Sequence, residues 1–293
     1  MLNIEDIKNK LDRNPIPKEI YDVRKNIKNR FGNLEFIEEG HKYLLHKEDG
    51  TVKPMNSVSS VCHRFEPEVD WDTILVNKAA SLGIEPSELK RTWKENNITS
   101  TSNGSLTHLF AEAYMYFFMG EVDLMPDVIK KMQYEDGFLI PYGNKQKAIA
   151  RYYEDLYYID NFYPIMPEAQ IYIDSENNPY GIGVDISGTF DALFGYFDKN
   201  DKLKLSVRDW KTNKSLINDF NRKKKNTLLP PFNTEAFINE PKSIYTIQLS
   251  LYQLGLQQLG YDISDRKLLW LTEDGKYSKI DVSDVTEDLK NTL

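Results

Sequence analysis

Two aspartates and one lysine have the spacing that would let an antiparallel hairpin bring them together. Apolar and polar residues alternate along the run that ends at Asp209, which is typical of a half-buried strand. The segment 184–197 is the predicted partner strand, and a turn centred on Asn200 would place Asp191 opposite Asp209. Because side chains alternate along a strand, Asp209 and Lys211 are expected on the same face.

Two carboxylates at that separation repel, so one would stay protonated unless a cation lay between them. A hard divalent ion such as Mg2+ prefers carboxylate oxygens and water. The neighbouring Lys211 could then act on an attacking water or on a developing phosphate charge. The competing interpretation is a surface hairpin with an ordinary ion pair, because an Asp-x-Lys triplet is common in itself.

Further polar residues occur in an order that favours a common site. A helix predicted to open at Asn103 carries His108 and Glu112 one turn apart, and the strand that follows begins at Glu168. Downstream, a predicted helix over 244–259 carries Gln248 and Tyr252 on one face. Each has a structural alternative, respectively a packed core histidine, a solvated strand residue and a surface pair.

Together these residues resemble the PD-(D/E)xK nuclease superfamily, in its RecB-like branch with phage-encoded members. The resemblance covers about 100–270, and the collinear order is more specific than any one motif. The matching motifs are G-x-x-x-H-x-x-x-E, a Glu-bearing strand, Gly188-Thr189-Phe190-Asp191, Asp209-Trp210-Lys211-Thr212 and Gln248-Leu249-Ser250-Leu251-Tyr252. The second acid is Asp209 where many members have glutamate.

The resemblance implies a role for each matching position. The metal ligands would be His108, Asp191, Asp209 and the backbone carbonyl of Trp210. Lys211 would position the attacking water and stabilise the phosphate. Glu168 would support the ligands or bind a second metal ion. Gln248 and Tyr252 would steady the lysine or hold the nucleic-acid strand.

The implied activity is hydrolysis of DNA with Mg2+ or Mn2+, by an exonuclease of phage or bacterial recombination or repair. A structure-specific or nicking endonuclease and a catalytically inactive nucleic-acid-binding relative are the alternatives. The implied substrate is linear duplex or single-stranded DNA, and a recombination or single-strand-binding protein is a further candidate partner. Strand polarity and oligomeric state stay open.

The expected fold is α/β, with the mixed central sheet and flanking helices of the PD-(D/E)xK core over 101–293. The first three core strands would form a meander, and a C-terminal hairpin at Asp274-Gly275 would extend the sheet. Residues 1–100 are expected to form a mostly helical accessory region with one hairpin, which could select a DNA end or strand. Within it, helices are predicted over 72–82 and 87–96, and Trp71 and Trp93 are interpreted as packing anchors.

Composition limits these expectations. The 293-residue chain has a net charge of -8, which is unusual for a nucleic-acid binder, so contacts to DNA would depend on local basic residues. The candidate cluster is Arg222, Lys223, Lys224 and Lys225, in a segment over 218–242 predicted to be a long mobile loop. Its alternative is a solvated loop.

Cysteine content and hydropathy bear on cofactors and location. The single cysteine, Cys62, excludes the four-cysteine iron–sulfur cluster that some RecB-like nucleases hold. It also fits a reducing compartment. No apolar run approaches the length of a membrane span, and no secretory signal is visible at the N-terminus. A cytoplasmic location, in a bacterium or a phage-infected host, is therefore expected.

Overall fold

The computed structural model describes residues 1–135 and 137–293. Helices alternate with strands along the chain. The helices are α1 Ile4–Arg13, α2 Lys18–Phe31, α3 Val58–His63, α4 Trp71–Leu82, α5 Pro86–Phe118, α6 Asp127–Gln133, α7 Asn144–Tyr157, α8 Asp219–Lys224, α9 Pro241–Gln257 and α10 Thr286–Thr292. In the described residues, none of them is long and apolar enough to cross a membrane.

The strands form one mixed sheet and a separate short hairpin. They are β1 Leu34–Ile37, β2 Lys42–His46, β3 Val52–Ser57, β4 Tyr134–Glu135, β5 Phe138–Leu139, β6 Phe162–Ile173, β7 Ile186–Phe197, β8 Leu203–Lys211, β9 Ile263–Leu271 and β10 Tyr277–Asp281. Eight of the described strands make the sheet in the order β1-β2-β3-β7-β8-β9-β10, and β6 pairs with β7. The hairpin is β4-β5.

The meander predicted for the centre of the sheet is β6-β7-β8. Its second hairpin has the predicted register, because Ala192 lies opposite Arg208 and Phe197 opposite Leu203. The side chain of Asp198 accepts hydrogen bonds from the backbone N–H groups of Asn200 and Lys202, which fixes the turn. The predicted C-terminal extension is also present, since β9 adds parallel to β8 and β10 pairs antiparallel with β9.

One edge of β7 is shared by two strands. Strand β6 occupies one edge of β7, where it pairs with the residues from Ile186 to Tyr196. Strands β3 and β8 must therefore share the opposite edge of β7. There β3 pairs only with Ile186 and Ser187, and the β8 ladder begins at Ala192. The segment 188–191, which contains the predicted Asp191, therefore lies where the sheet forks.

Helices cover both faces of the sheet and bury two apolar cores. One core receives side chains from α2, α3, α9 and α10. The other receives them from α1, α5, α6 and α7. The arrangement is α/β, with a mixed sheet between two helical layers. This matches the coarse fold expected from the sequence.

The N-terminal third differs from the expectation in two ways. The two helices predicted over 87–96 and from Asn103 are one continuous helix, α5, because Asn103 and Gly104 do not interrupt it. Thr99 and Thr107 hydrogen-bond back to carbonyls one turn earlier, which keeps these polar residues within the helix. The expected boundary at residue 100 falls inside α5, and strands β1 to β3 belong to the same sheet as the core.

Candidate metal centre

His108, Glu168 and Asp191 converge from three elements at the fork of the sheet. Each offers one ligand atom, and these atoms all lie within 4.8 Å of one another. His108 comes from α5, Glu168 from β6 and Asp191 from β7. The sequence places these residues far apart, and the packing of α5 across the sheet brings the imidazole to the two carboxylates.

Both strands are irregular at this point. Glu168 has a φ of 45°, a left-handed conformation that residues other than glycine rarely adopt and that often occurs at functional sites. It lies opposite Asp191, because Pro167 pairs with Ala192 and Ala169 with Phe190. In β7, Phe190 packs in one core and Ala192 in the other, so the alternation of side chains is interrupted at Asp191.

Asp191 is buried and held in place by two hydrogen bonds. Its Oδ1 lies 3.0 Å from Nδ1 of His108, and its Oδ2 accepts the backbone N–H of Trp210 at 2.6 Å. Burial disfavours the carboxylate, but the charge and hydrogen bond of His108, then Lys211 and Trp210, outweigh burial and lower the pKa of Asp191. Burial likewise disfavours imidazolium, yet Asp191 and Asp209 raise the pKa of His108.

Asp209 is 2% exposed and sits beside Asp191 and Lys211. Burial, followed by the charge of Asp191, raises the pKa of Asp209 to about 6, although Lys211 opposes the shift. Its Oδ2 contacts the Lys211 ammonium in a salt bridge but has no hydrogen-bond partner of good geometry among the described residues. The ammonium group therefore offsets part of the cost of burying this carboxylate.

Lys211 is connected to the two residues predicted on α9. Its Nζ donates to Oε1 of Gln248 at 3.2 Å, and Nε2 of Gln248 donates to the hydroxyl of Tyr252 at 3.0 Å. Burial alone would lower the pKa of Lys211. The interactions with Asp209, Tyr245 and Asp191 outweigh burial, so the pKa is raised and the ammonium form is favoured. Tyr252 is buried, so it contacts Gln248 from the protein interior and is not exposed for contact with a nucleic acid.

Glu168 has a different protonation preference from Asp191. Burial raises the pKa of Glu168 well above its usual value, and Asp191, Glu112 and Asp209 raise it further. Glu112 itself has a pKa raised by burial. The site therefore contains more carboxylates than its imidazole and ammonium can neutralise, which is the electrostatic situation that a divalent cation relieves.

The donor set suits a divalent cation that accepts both oxygen and nitrogen ligands. Carboxylate oxygens bind Mg2+ and Mn2+, and an imidazole adds a ligand that first-row transition metals favour. The clustered atoms of His108, Glu168 and Asp191 fit such an ion, and Asp209 lies beside them with its Oδ2 against the Lys211 ammonium group. Trp210 contributes its backbone N–H to Asp191, and its side chain is buried in the core below.

The basic cluster differs from the mobile loop predicted over 218–242. Residues Asp219–Lys224 form α8, because Asn218 caps the helix by accepting the N–H of Asn221. Arg222 makes a two-pronged ion pair with the buried carboxylate of Glu240, with both N–O distances at 2.7 Å.

The remaining cations of the cluster lie at or near the end of α8. Lys225 pairs with Glu235 at 2.7 Å. Lys223 and Lys224 are exposed. The structure therefore places the charge of two of the four residues against nearby acids.

Two aromatic residues near the site were missed or misinterpreted from the sequence. The centroid of the Tyr245 ring lies 3.9 Å from Nζ of Lys211. Helical spacing could have found it, since Tyr245 is three residues before Gln248 on α9. Trp71, expected to be a packing anchor, is 65% exposed. It lines a cleft of about 1400 Å³ that Tyr245 and Gln248 also line.

Comparison with known proteins adds no relative to this description. No protein-family model matches the chain, and no curated protein sequence matches it. Function is therefore inferred from the residues and from their geometry.

Proposed function

We propose that the chain is a metal-dependent nuclease that hydrolyses phosphodiester bonds of DNA, with the PD-(D/E)xK core of the RecB-like branch. The observation that supports this most is the convergence of His108, Glu168 and Asp191, next to the buried Asp209 that contacts the ammonium group of Lys211. The same residues carry the resemblance in the sequence. Their convergence favours a common site over the separate structural roles that each could have.

In the proposed reaction, His108, Asp191 and Asp209 would hold the divalent cation, and Glu168 would complete or support the ligand set. A bound Mg2+ or Mn2+ would supply Lewis-acid stabilisation of the phosphate and lower the pKa of water. Lys211 orients the attacking water and balances the negative charge that develops on the phosphate.

Water oxygen forms the new bond to phosphorus while the bond from phosphorus to the 3′-oxygen breaks. The water proton passes to solvent, and the 3′-oxygen takes up a proton as it leaves. The products are a 5′-phosphate and a 3′-hydroxyl. Gln248 keeps the lysine in place through its amide oxygen, and Tyr252 orients that amide.

The charge distribution predicts modest affinity for nucleic acid. The chain has a net charge of -8, and Arg222 and Lys225 are paired with acids. The exposed Lys223 and Lys224 are the proposed phosphate contacts of the cluster, and binding that depends on few contacts should weaken with salt. We infer that catalysis requires engagement of an end or an unpaired strand.

The test is a cleavage assay on linear duplex, single-stranded and closed circular DNA, with and without Mn2+. Cleavage of linear substrates with the circle intact would indicate an exonuclease, and nicking of the circle an endonuclease. Lys211→Ala and Asp209→Ala are expected to abolish cleavage, with a fall of at least about a thousandfold. Parent-level cleavage by Lys211→Ala would show that the site is wrong.

Calorimetric titration of Mn2+ separates the nuclease from an inactive relative that has kept the fold. The parent is expected to bind Mn2+, and Asp191→Ala is expected to lose that binding. Absence of both binding and cleavage by the folded parent would exclude the proposed reaction.

A further inference from the structure

We propose that Tyr245 is a positioning residue for Lys211, and that its ring holds the lysine ammonium group while Asp209 binds the cation. The inference rests on the proposed function, because it assigns a role in that reaction. Tyr245 lies outside the motifs that carry the resemblance, and its ring is placed by the packing of α9 on the sheet.

The ammonium group of Lys211 has three neighbours. Asp209 contacts it through a carboxylate oxygen, Gln248 accepts from it at 3.2 Å, and the ring of Tyr245 lies 3.9 Å from Nζ. The face of an aromatic ring attracts a cation, and the attraction is strongest where water is excluded. The Lys211 side chain is only 11% exposed.

Two hydrogen bonds link the ring to the segment that follows β8. The hydroxyl of Tyr245 donates to Oδ1 of Asn213 at 2.9 Å. The indole N–H of Trp270 donates to the backbone carbonyl of Asn213 at 2.8 Å. Asn213 comes two residues after Lys211, the last residue of β8. Trp270 is on β9, directly opposite Lys211. The ring is thus tied to the same strand end that presents the lysine.

The ring becomes necessary when the cation binds. The Asp209 carboxylate that contacts Lys211 is also a proposed metal ligand, and metal ligation would draw its charge away from the ammonium. Gln248 offers a single neutral acceptor. Without the ring, the long lysine side chain could rotate towards the cleft that Tyr245 and Gln248 line. With the ring in place, the ammonium stays beside the scissile phosphate.

Three variants separate positioning from folding. Tyr245→Phe keeps the ring and removes the hydroxyl, and Tyr245→Leu removes the ring. Tyr180→Leu is the matched control, because Lys290 lies 4.9 Å from the ring of Tyr180 in a contact outside the site. Each variant would be assayed for DNA cleavage, Mn2+ affinity and thermal unfolding.

Tyr245→Leu is expected to lower kcat about ten- to thirtyfold, with KM and Mn2+ affinity unchanged. Tyr245→Phe should keep most of the activity, and Tyr180→Leu all of it. Parent-level kcat in a folded Tyr245→Leu would overturn the proposal. An equal loss in Tyr245→Phe and Tyr245→Leu would also overturn it, because the ring face would then not be the effective group.

A readout that does not need activity comes from NMR of protein with 13C-labelled lysine. The ring current should move the ε-methylene signal of Lys211 upfield, with the assignment made from its loss in Lys211→Arg. Tyr245→Leu should abolish the shift, and Tyr245→Phe should keep it. Tyr180→Leu should change only Lys290.

The cleavage assay and the NMR measurement test different claims, so each can fail without the other. If the parent cleaves none of the substrates, the proposed function fails, while the NMR signal still decides whether the ring holds the lysine. An unshifted Lys211 signal in the parent overturns the positioning role, whatever the activity.

Discussion

At the level of single residues, the carboxylate of Asp209 has two neighbours with opposite effects on its pKa. It contacts the ammonium group of Lys211, and it lies near Asp191, which is also buried. The pKa of about 6 that results means that Asp209 is partly protonated in mildly acidic solution. Metal binding must displace that proton, together with those of Glu168 and His108, whose pKa values are also raised.

This competition predicts that stabilisation by Mn2+ grows as the pH rises. In the metal-free protein, folding raises the pKa of Asp209 from 3.8 to about 6, so the folded state binds more protons between these values. Its stability therefore falls as the pH rises through that window. A cation reverses this loss, so we expect a larger Mn2+-induced increase in Tm at pH 7.5 than at pH 5.

The measurement is thermal unfolding with and without Mn2+ at both pH values. His108→Ala should remove most of the increase at pH 7.5. His63→Ala is the control, because His63 pairs with Glu66 on the surface and should leave the increase intact. Equal increases at both pH values would contradict proton competition at the site.

At the level of elements, two helices approach the sheet closely at Gly188. A Cβ atom there would lie 2.9 Å from both Cε1 of Tyr252 and Cγ2 of Val58, which is too close for any real contact. The glycine of the Gly188-Thr189-Phe190-Asp191 motif thus lets α3 and α9 pack together on β7. This packing also sets the position of Tyr252, which orients Gln248.

Gly188→Ala is therefore expected to destabilise the fold by about 1–3 kcal/mol, since β7 and two helices would have to shift. Gly104→Ala is the matched control. Gly104 lies inside α5, and its added Cβ would be 3.5 Å from Oγ1 of Thr212, an ordinary contact. It should stabilise the helix by up to about 1 kcal/mol. Urea unfolding measures both, and similar values would contradict this account.

A second link between elements joins β3 to the connection between β6 and β7. Nζ of Lys53 lies 2.8 Å from carboxylate oxygens of both Asp174 and Asp185. Burial disfavours these carboxylates, but Lys53 outweighs burial and lowers the pKa of each. The interaction holds the N-terminal strands against the strand that carries Asp191.

Lys53→Met is expected to lower the free energy of unfolding by about 1–3 kcal/mol at pH 7, because two partly buried carboxylates lose their partner. Depressed pKa values give stability that is present above 3.8 and lost as the pH falls through the folded values. The difference from the parent should therefore shrink below that pH. Lys25→Met on the exposed face of α2 is the control, and an equal effect there would exclude the link.

At the scale of the whole molecule, the N-terminal third is part of the core. Side chains of α2, α3 and β2 lie in the same apolar cluster as α9. Helix α5 carries both residues expected in the N-terminal accessory region and His108 of the core. The two helical layers thus depend on residues from both halves of the chain.

A chain that begins at residue 101 is therefore expected not to fold. It would lose β3 from the edge of β7 and expose the apolar face on which α2 and α3 pack. Circular dichroism should show no cooperative thermal transition, where the full chain shows one. A sharp transition with native-like secondary structure would instead support an independent unit over 101–293.

The sequence alone determined the local features of the site. Strand alternation and turn residues predicted the β7-β8 hairpin and the register of Asp191 with Asp209. Helical spacing predicted that Gln248 and Tyr252 lie on one face. These features depend on interactions between residues near in sequence, so periodicity and turn chemistry are sufficient to specify them.

Only the tertiary structure decided which of these groups meet. The approach of His108 to Asp191, the ring of Tyr245 on Lys211 and the pairing of Arg222 with Glu240 join residues that are distant along the chain or in different elements. The continuity of α5 is another such outcome, since the helices predicted over 87–96 and from Asn103 are joined by an exposed helical segment in which Thr99 bonds back to the carbonyl of Glu95. Local propensity is weak compared with the burial of an apolar face, and burial is settled only when all the elements assemble.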